Sequence, residues 1–503
     1  MKVAFVGGGC GTCTSSFYLD KLMAEKNIDT DITIFESSSN MGGRLQQVKV
    51  TDDVIVDLGG SIYHTGVNPT VVKVREDYME KMKNNANTNK IVETINIYDD
   101  VESLGVWDGK QFVYRGPTKL YFVSIIQKIL IDTFKDFLYL GTILSFFNKK
   151  LHQLMIIISM VFTYGFGSIL GIKKFKDKEG GDNVIKLFLD FNNVDYYTAF
   201  GKYMPVHLVH INAKNILSKY GVSDKFINEV LEPVTRNIYS QNLDRYHSMA
   251  MLTTVLSGDS SKLRTFKKGN GAFFEEVAKS IEKCTIKRNT KVTFIEKVHD
   301  GKYQVTSKGP SGQSSTQVFD VVVLGAPFEK LNVEIKNVPD AHQLLSKIPK
   351  RDFVPVCLAV VSGVPNHKYF KCENVGSVPL VIRTTKVADV NNCPFLTFQA
   401  LWFDVKNNCR IYKVQSKERL TREELDSLFS EKHFVYQHDF EYGYPLLEAL
   451  EEGHRLPAKL SENLYYINSV ESLSSAMEAS AWSGRNIANL IADDSTIQKQ
   501  SSQ

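Results

Sequence analysis

The chain has 503 residues, a formal net charge of +4, and 43% hydrophobic against 23% charged residues. That length is about three times a typical domain, so two or more domains around a large core are expected. So small a charge over so long a chain excludes the concentrated basic face of a nucleic-acid binder, and no nucleic-acid partner is expected.

Residues 2–6 (Lys-Val-Ala-Phe-Val) read as a short strand, and Gly7-Gly8-Gly9-Cys10-Gly11-Thr12 follows at once. A helical pattern runs from about Cys13 to Lys26, and a second strand, Ile32 to Phe35, ends at Glu36. Strand, glycine turn, helix, strand and acid is the order of a Rossmann dinucleotide-binding unit. Gly7 allows the tight turn, and Gly9 lets the backbone approach a pyrophosphate. The helix N-terminus supplies unpaired N–H groups and a positive dipole end. Glu36 is placed to accept hydrogen bonds from a ribose hydroxyl. Thr12 stands where a third glycine is usual, and Gly11 beside it relieves the crowding.

Met41-Gly42-Gly43-Arg44-Leu45 and Asp57-Leu58-Gly59-Gly60-Ser61 come next, with His64 close behind. This order resembles the glycine-doublet pattern of the amine-oxidase and phytoene-desaturase superfamily of flavoproteins. The resemblance implies FAD rather than NAD. It implies that Gly42 and Gly43 run along the pyrophosphate while Arg44 offsets phosphate charge. It also implies that Gly59, Gly60 and Ser61 pass near the isoalloxazine. Two ordinary turns are the competing reading of these glycines.

Asn84–Lys90 reads as an exposed polar loop. Within a hydrophobic insert over about 120–172, Phe137–Phe147 is an uncharged run of 11 residues and Leu154–Ile172 one of 19, with lysine pairs at 149–150 and 173–174. Nineteen residues just suffice to cross a bilayer core at about 1.5 Å each. A membrane-surface anchor, a transmembrane span and buried helices of the substrate half are the three readings. Further on, Lys291–Ile295 is a strand of the kind whose backbone, at Val292, meets the adenine end of a dinucleotide. Val321–Leu324 is an apolar strand stopped by Pro327, as a buried parallel strand should be. Leu464–Ile467 is a last strand, Asn468–Ser475 a polar loop, and a final helix begins near Ala476. In the flavoprotein superfamily this segment faces the flavin pyrimidine, which implies roles for Glu471, Ala476 and Met477. An ordinary buried helix cap is the alternative.

The run Phe226-Ile227-Asn228-Glu229, continuing through Pro233-Val234-Thr235-Arg236 to Tyr239-Ser240-Gln241, is more specific. It resembles the prenylcysteine oxidase family, as do the Gly59-Gly60-Ser61…His64 run, Tyr442-Gly443-Tyr444-Pro445 and the terminal Tyr466…Ala481 run. The likeness covers nearly the whole chain except about 116–160 and the polar tail. It implies an FAD-dependent thioether oxidase that cleaves S-farnesyl- or S-geranylgeranyl-cysteine to cysteine, a prenyl aldehyde and hydrogen peroxide, with molecular oxygen as acceptor. The C–H between sulfur and the alkene is a weakened hydride donor, because the resulting cation is shared by both. No protein nucleophile is required. Candidate catalytic residues are His64, to orient water or to serve as a structural histidine, and Arg236, to pair with the substrate carboxylate or with a structural acid. Tyr239 has the same standing as Arg236. The competing functions are a non-enzymatic prenyl-protein carrier of the GDP-dissociation-inhibitor or escort kind, and an FAD amine oxidase or desaturase.

The expected fold is α/β: a Rossmann-type FAD-binding domain over 1–75, 255–335 and 450–495, interleaved with an α+β substrate domain over 76–254 and 336–449. Residues 496–503 form a polar tail. Seven cysteines, an odd and small number, read as free thiols. The Cys10–Cys13 pair has no second ligand pair, so no metal site is expected. The family implies a lysosomal enzyme. No signal peptide or usable Asn-X-Ser/Thr sequon is seen, so the sequence alone points to the cytosolic side, in contact with a membrane surface.

Overall fold

The structure, a computed structural model, describes residues 1–85, 88–96, 103–116, 160–257 and 260–494. The Phe137–Phe147 run, the insert up to residue 159 and the 496–503 tail lie outside the described residues.

Strand β1 (Lys2–Val6) enters the turn at Gly7, helix α1 (Cys10–Glu25) leaves it, and β2 (Asp31–Phe35) returns beside β1 in parallel register, Val3 against Ile32 and Val6 against Phe35. Val3 to Val6 are buried, as continuous apolar runs in parallel sheets are. The helix begins three residues earlier than the apolar pattern indicates. Gly9 is extended and caps it, so Cys10-Gly11-Thr12 is its first turn. Strands β3 (Cys284–Lys287), β4 (Val321–Leu324), β5 (Lys459–Ser461) and β6 (Leu464–Tyr466) complete a six-stranded sheet in the order β3-β2-β1-β4-β6-β5. All pairings are parallel except β5 with β6. Strands drawn from both ends of the chain therefore lie side by side, so the fold is α/β with a Rossmann sheet at its centre.

Other helices include α2 (Pro69–Lys81), α3 (Phe166–Lys178), α4 (Asn270–Lys279) and α5 (Met477–Asp493). The strand at Lys291–Lys297 belongs to a separate four-stranded sheet. A seven-stranded, mostly antiparallel sheet is built from the middle of the chain. In spatial order it runs 429–445, 353–365, 409–416, 397–404, 381–384, 104–107 and 112–115. Its apolar faces pack two clusters, one around Phe370, Phe398 and Tyr412 and one around Val56, Leu358 and Ile411.

The expected loop at 84–90 is corrected in part: Thr88–Val92 is a short helix. Thr88 donates to Asn85 O and to Met82 O, and Val92 is buried, so the apolar pair Ile91-Val92 draws the segment onto the core.

Candidate active site

Gly7 is in the left-handed region (φ +103°), and a Cβ there would lie 2.9 Å from Gly325 O. Its N–H donates to Phe35 O at 2.8 Å, which closes the turn onto β2. Glu36 then organises the turn through both oxygens: Gly8 N–H donates to Oε2 at 2.8 Å and Ser38 N–H to Oε1 at 2.7 Å. The Gly42-Gly43 doublet lies alongside. Gly42 N–H donates to Gly8 O at 2.7 Å, and Gly42 and Gly43 both take positive φ. The strand bearing Val292 starts at the same place, since Thr290 N–H donates to Glu36 O at 2.8 Å.

Thr12 is accommodated because the strand opposite supplies a glycine. A Cβ on Gly325 would lie 2.1 Å from Thr12 Oγ1. The small-residue requirement has moved across the interface. Cys10 and Cys13 are both buried and free, and burial pushes both thiols up. A thiol held in its protonated form is a poor nucleophile, so this pair is not poised for thiol–disulfide exchange.

The closing helix meets the opening one at backbone contact. A Cβ on Gly484 would lie 2.1 Å from Gly11 O, and a Cβ on Gly11 would lie 2.8 Å from Ser480 O. Cys10 Sγ is 3.7 Å from Met477 O. The N-termini of α1 and α5 therefore stand side by side. Neither is capped by a side chain, at Gly9 or at Ala476. Two positive helix ends at one place favour an anionic group there. The acid of α5's first turn, Glu478, is turned away from this place. Its carboxylate takes Thr70 N–H at 2.7 Å and Val71 N–H at 2.9 Å, so it caps α2, and burial pushes it up to about 7.

Glu471, 1% exposed, lies in the turn before α5. Its Oε1 pairs with Arg44 and takes Asn468 Nδ2 at 2.7 Å. Its Oε2 lies 3.7 Å from Arg351 Nη1 and receives no hydrogen bond among the described residues. Arg351 is itself buried and held by Glu329 (3.0 Å twice), Asn468 O and Tyr466 OH. Arg44 stands on the other side of the Glu471 carboxylate. Its guanidinium is taken by Glu471, with Ser475 Oγ and Gly443 O at 3.4–3.5 Å, because a buried carboxylate needs a cation beside it. Arg351 is missed from sequence, since Lys350-Arg351-Asp352 looks like a charged surface run.

The structure separates the three catalytic candidates. Arg236, 0% exposed, is fully engaged: Asp389 at 2.7 and 3.0 Å, Thr384 Oγ1 at 3.1 Å from two nitrogens, and Asn242 Oδ1 at 2.7 Å. No donor remains for a substrate carboxylate, so that role is withdrawn. Although burial opposes it, the hydrogen bonds of Arg236 and Lys417 hold the Asp389 carboxyl down to about 2. A depressed acid stabilises the fold above its unfolded value and loses that contribution as pH falls through about 2. Arg236→Leu should cost about 3 kcal/mol in urea unfolding. In the enzyme that remains folded, KM should stay unchanged; a raised KM would restore the substrate role.

His64 is buried. Its Nδ1 accepts Gly66 N–H at 3.0 Å and its own N–H donates to Asn68, which fits the structural histidine of the two readings. Tyr239 is buried. Its ring packs against Tyr246 (5.8 Å) and Tyr444 (5.6 Å), and Tyr444 follows Gly443, whose carbonyl takes Arg44.

The residues present fit FAD. The glycine turn and two uncapped helix ends suit a diphosphate. The buried and unsatisfied Thr12 Oγ1, Glu471 Oε2 and Ser472 Oγ suit a polyhydroxylated chain between them. Fold and site together define an FAD-dependent oxidoreductase built on a Rossmann-type domain.

Comparison with known proteins agrees and narrows the class. A prenylcysteine lyase family model matches residues 147–503, and an NAD(P)-binding Rossmann-like domain model matches 6–77. The chain belongs to the prenylcysteine lyase family. It is 26% identical over 500 residues to farnesylcysteine lyase of Arabidopsis thaliana, covering 97% of this chain and 87% of that one. To prenylcysteine oxidase 1 of Bos taurus it is 22% identical over 520 residues, covering 97% and 88%. Among solved structures, a fatty acid isomerase from P. acnes superposes with a TM-score of 0.58 at 14% identity, covering 97% of each chain. A redesigned putrescine oxidase does so with a TM-score of 0.58 at 10% identity, covering 98% and 99%. These two share the fold.

Proposed function

We propose that the chain is an FAD-dependent thioether oxidase that cleaves S-farnesyl- or S-geranylgeranyl-cysteine to cysteine and a prenyl aldehyde, with oxygen as acceptor and hydrogen peroxide as by-product. The observation that carries this reading is that the uncapped end of α1 lies against the first turn of the uncapped α5, Cys10 by Met477 and Gly11 by Ser480, beside the buried Glu471. Prenyl-protein carriers have no need of such a site. When bound, the cofactor supplies the hydride acceptor. The chain's own part is to hold the diphosphate on α1, to place Glu471 toward the polyol, and to enclose the reacting carbon away from water. Purified protein should be yellow, with absorption near 450 nm, and should release peroxide and cysteine in equal amounts from farnesylcysteine. Colourless protein that takes up no added FAD would refute the assignment.

We also propose contact with a membrane surface at α3. Phe162 just before the helix, and Phe166 and Leu170 on it, are 86, 60 and 38% exposed. One turn on, the exposed positions become Lys173, Lys174, Asp177 and Lys178, three cations and one acid. The opposite face, Ser168, Gly171 and Phe175, is buried. An apolar end followed by lysines suits a helix lying in the interface with its cations at headgroup level. The helix is interrupted at Gly165, and no described helix is long and apolar enough to cross a membrane. Vesicles containing phosphatidylserine should co-sediment the protein. The double variant Phe162→Glu/Phe166→Glu should reduce the bound fraction at least fivefold while leaving turnover of soluble farnesylcysteine intact. Equal binding of the variant would reject this surface.

A further inference from the structure

Lys413 stands on the strand Cys409–Ser416 of the seven-stranded sheet and reaches across to the turn Asp57–Ser61. Its Nζ donates to Ser61 Oγ at 2.7 Å and to Asp57 O at 3.1 Å, and lies 3.4 Å from Leu58 O. The three protons of one ammonium thus meet three oxygens of one five-residue turn. From the other side, Asn270 at the start of α4 donates Nδ2 to Gly60 O at 2.7 Å. The Asp57 carboxylate takes Asn270 N–H and Thr265 Oγ1, both at 2.9 Å.

The turn needs this hold. Gly59 and Gly60 contribute no side chains to packing, and Gly60 is left-handed (φ +53°). A bare glycine turn is positioned only through its backbone groups. Its place also matters to the site. A Cβ on Gly59 would lie 2.4 Å from Arg44 O, and Arg44 is the cation of Glu471.

Behind the turn is a cavity of about 20 Å³, lined by Asp57, Ser61, Gln399, Trp402 and Lys413. That is room for one water. Gln399 Nε2, buried there, has no acceptor among the described residues. Burial pushes Lys413 down to about 8, against the pull of Asp57, and pushes Asp57 up to about 7. As a free amine Lys413 keeps two of its three donors, so one of these contacts is given up in mildly alkaline solution.

We propose that Lys413 is a positioning residue: its ammonium clamps the Gly59–Ser61 turn against the cofactor-binding face. This rests on the flavoenzyme reading, but its first test needs no substrate. In the FAD-loaded protein, Lys413→Met should speed amide exchange of the 57–63 peptide about tenfold and alter the shape of the visible flavin band. Exchange elsewhere, FAD content and melting temperature should stay near wild type. With farnesylcysteine, kcat should fall about tenfold with KM within twofold, and Lys413→Arg should recover most of it. Parallel loss of FAD, melting temperature and exchange protection across the molecule would show a merely structural lysine and overturn the proposal. Unchanged exchange and spectrum would overturn it equally. A normal exchange and spectral response without farnesylcysteine turnover would sink the substrate assignment and leave the clamp standing.

Discussion

Gly484→Val should yield protein with no bound flavin and a melting temperature lowered by several degrees. At this position the first atom of any side chain would lie 2.1 Å from Gly11 O, 2.9 Å from Gly11 C and 3.1 Å from Ser15 N. All three are backbone atoms of α1, and α1 is fixed in turn by β1 and β2. No rotamer change relieves the overlap, so the helices must separate. Ordinary overpacking costs about 1–3 kcal/mol, and a clash with rigid backbone falls at or beyond the upper end. A small domain loses about 4–8 °C per kcal/mol and a larger one about 2–4 °C. Separation also parts the two helix ends that share one anion. The ratio of absorbance at 450 to 280 nm reports the first effect and calorimetry the second. Gly167→Ala is the control: it lies in α3 with nothing within 4 Å of its Cβ position, and should be neutral or more stable by up to about 1 kcal/mol. Equal behaviour of the two variants would show that the close crossing is not what holds the site.

Glu471→Leu should be the second severe loss, about 3–5 kcal/mol in urea unfolding, because it leaves Arg44 and the fully buried Arg351 without a shared carboxylate. Glu471→Gln separates charge from shape. It keeps a hydrogen-bond acceptor for Asn468 but weakens the hold on Arg44 and on a cofactor hydroxyl. A hydrogen bond to a charged group contributes about 1.5–3 kcal/mol, so FAD affinity should fall about 10- to 100-fold while the fold survives. Equilibrium dialysis against FAD measures this. If the glutamine variant binds FAD as tightly as wild type, Glu471 serves only the arginines.

The Rossmann unit was legible because each of its parts is local. A continuous apolar strand, a glycine turn and an acid at the end of the next strand act within 36 residues, and the structure places Glu36 on the Gly8 and Ser38 amides. Arg236 shows the limit of such reading. Its motif marked the family correctly, yet the residue closes a buried ion pair with Asp389, 153 positions away, and no local pattern announces that partner. Thr12 shows the same in reverse: it looked like a defect until Gly325 was seen opposite it.

What the sequence by itself determined was the class: the nucleotide turn, the parallel sheet and the kinship with prenylcysteine enzymes, all carried by short-range order and by residue types that the backbone demands. What only the tertiary structure decided was which charges face one another. Glu471, Arg44 and Arg351 come from three distant stretches of chain, and Lys413 and the Asp57–Ser61 turn whose oxygens it holds come from two. Their pairing follows from the need to satisfy buried charges once those stretches pack, and sequence spacing does not encode that contact.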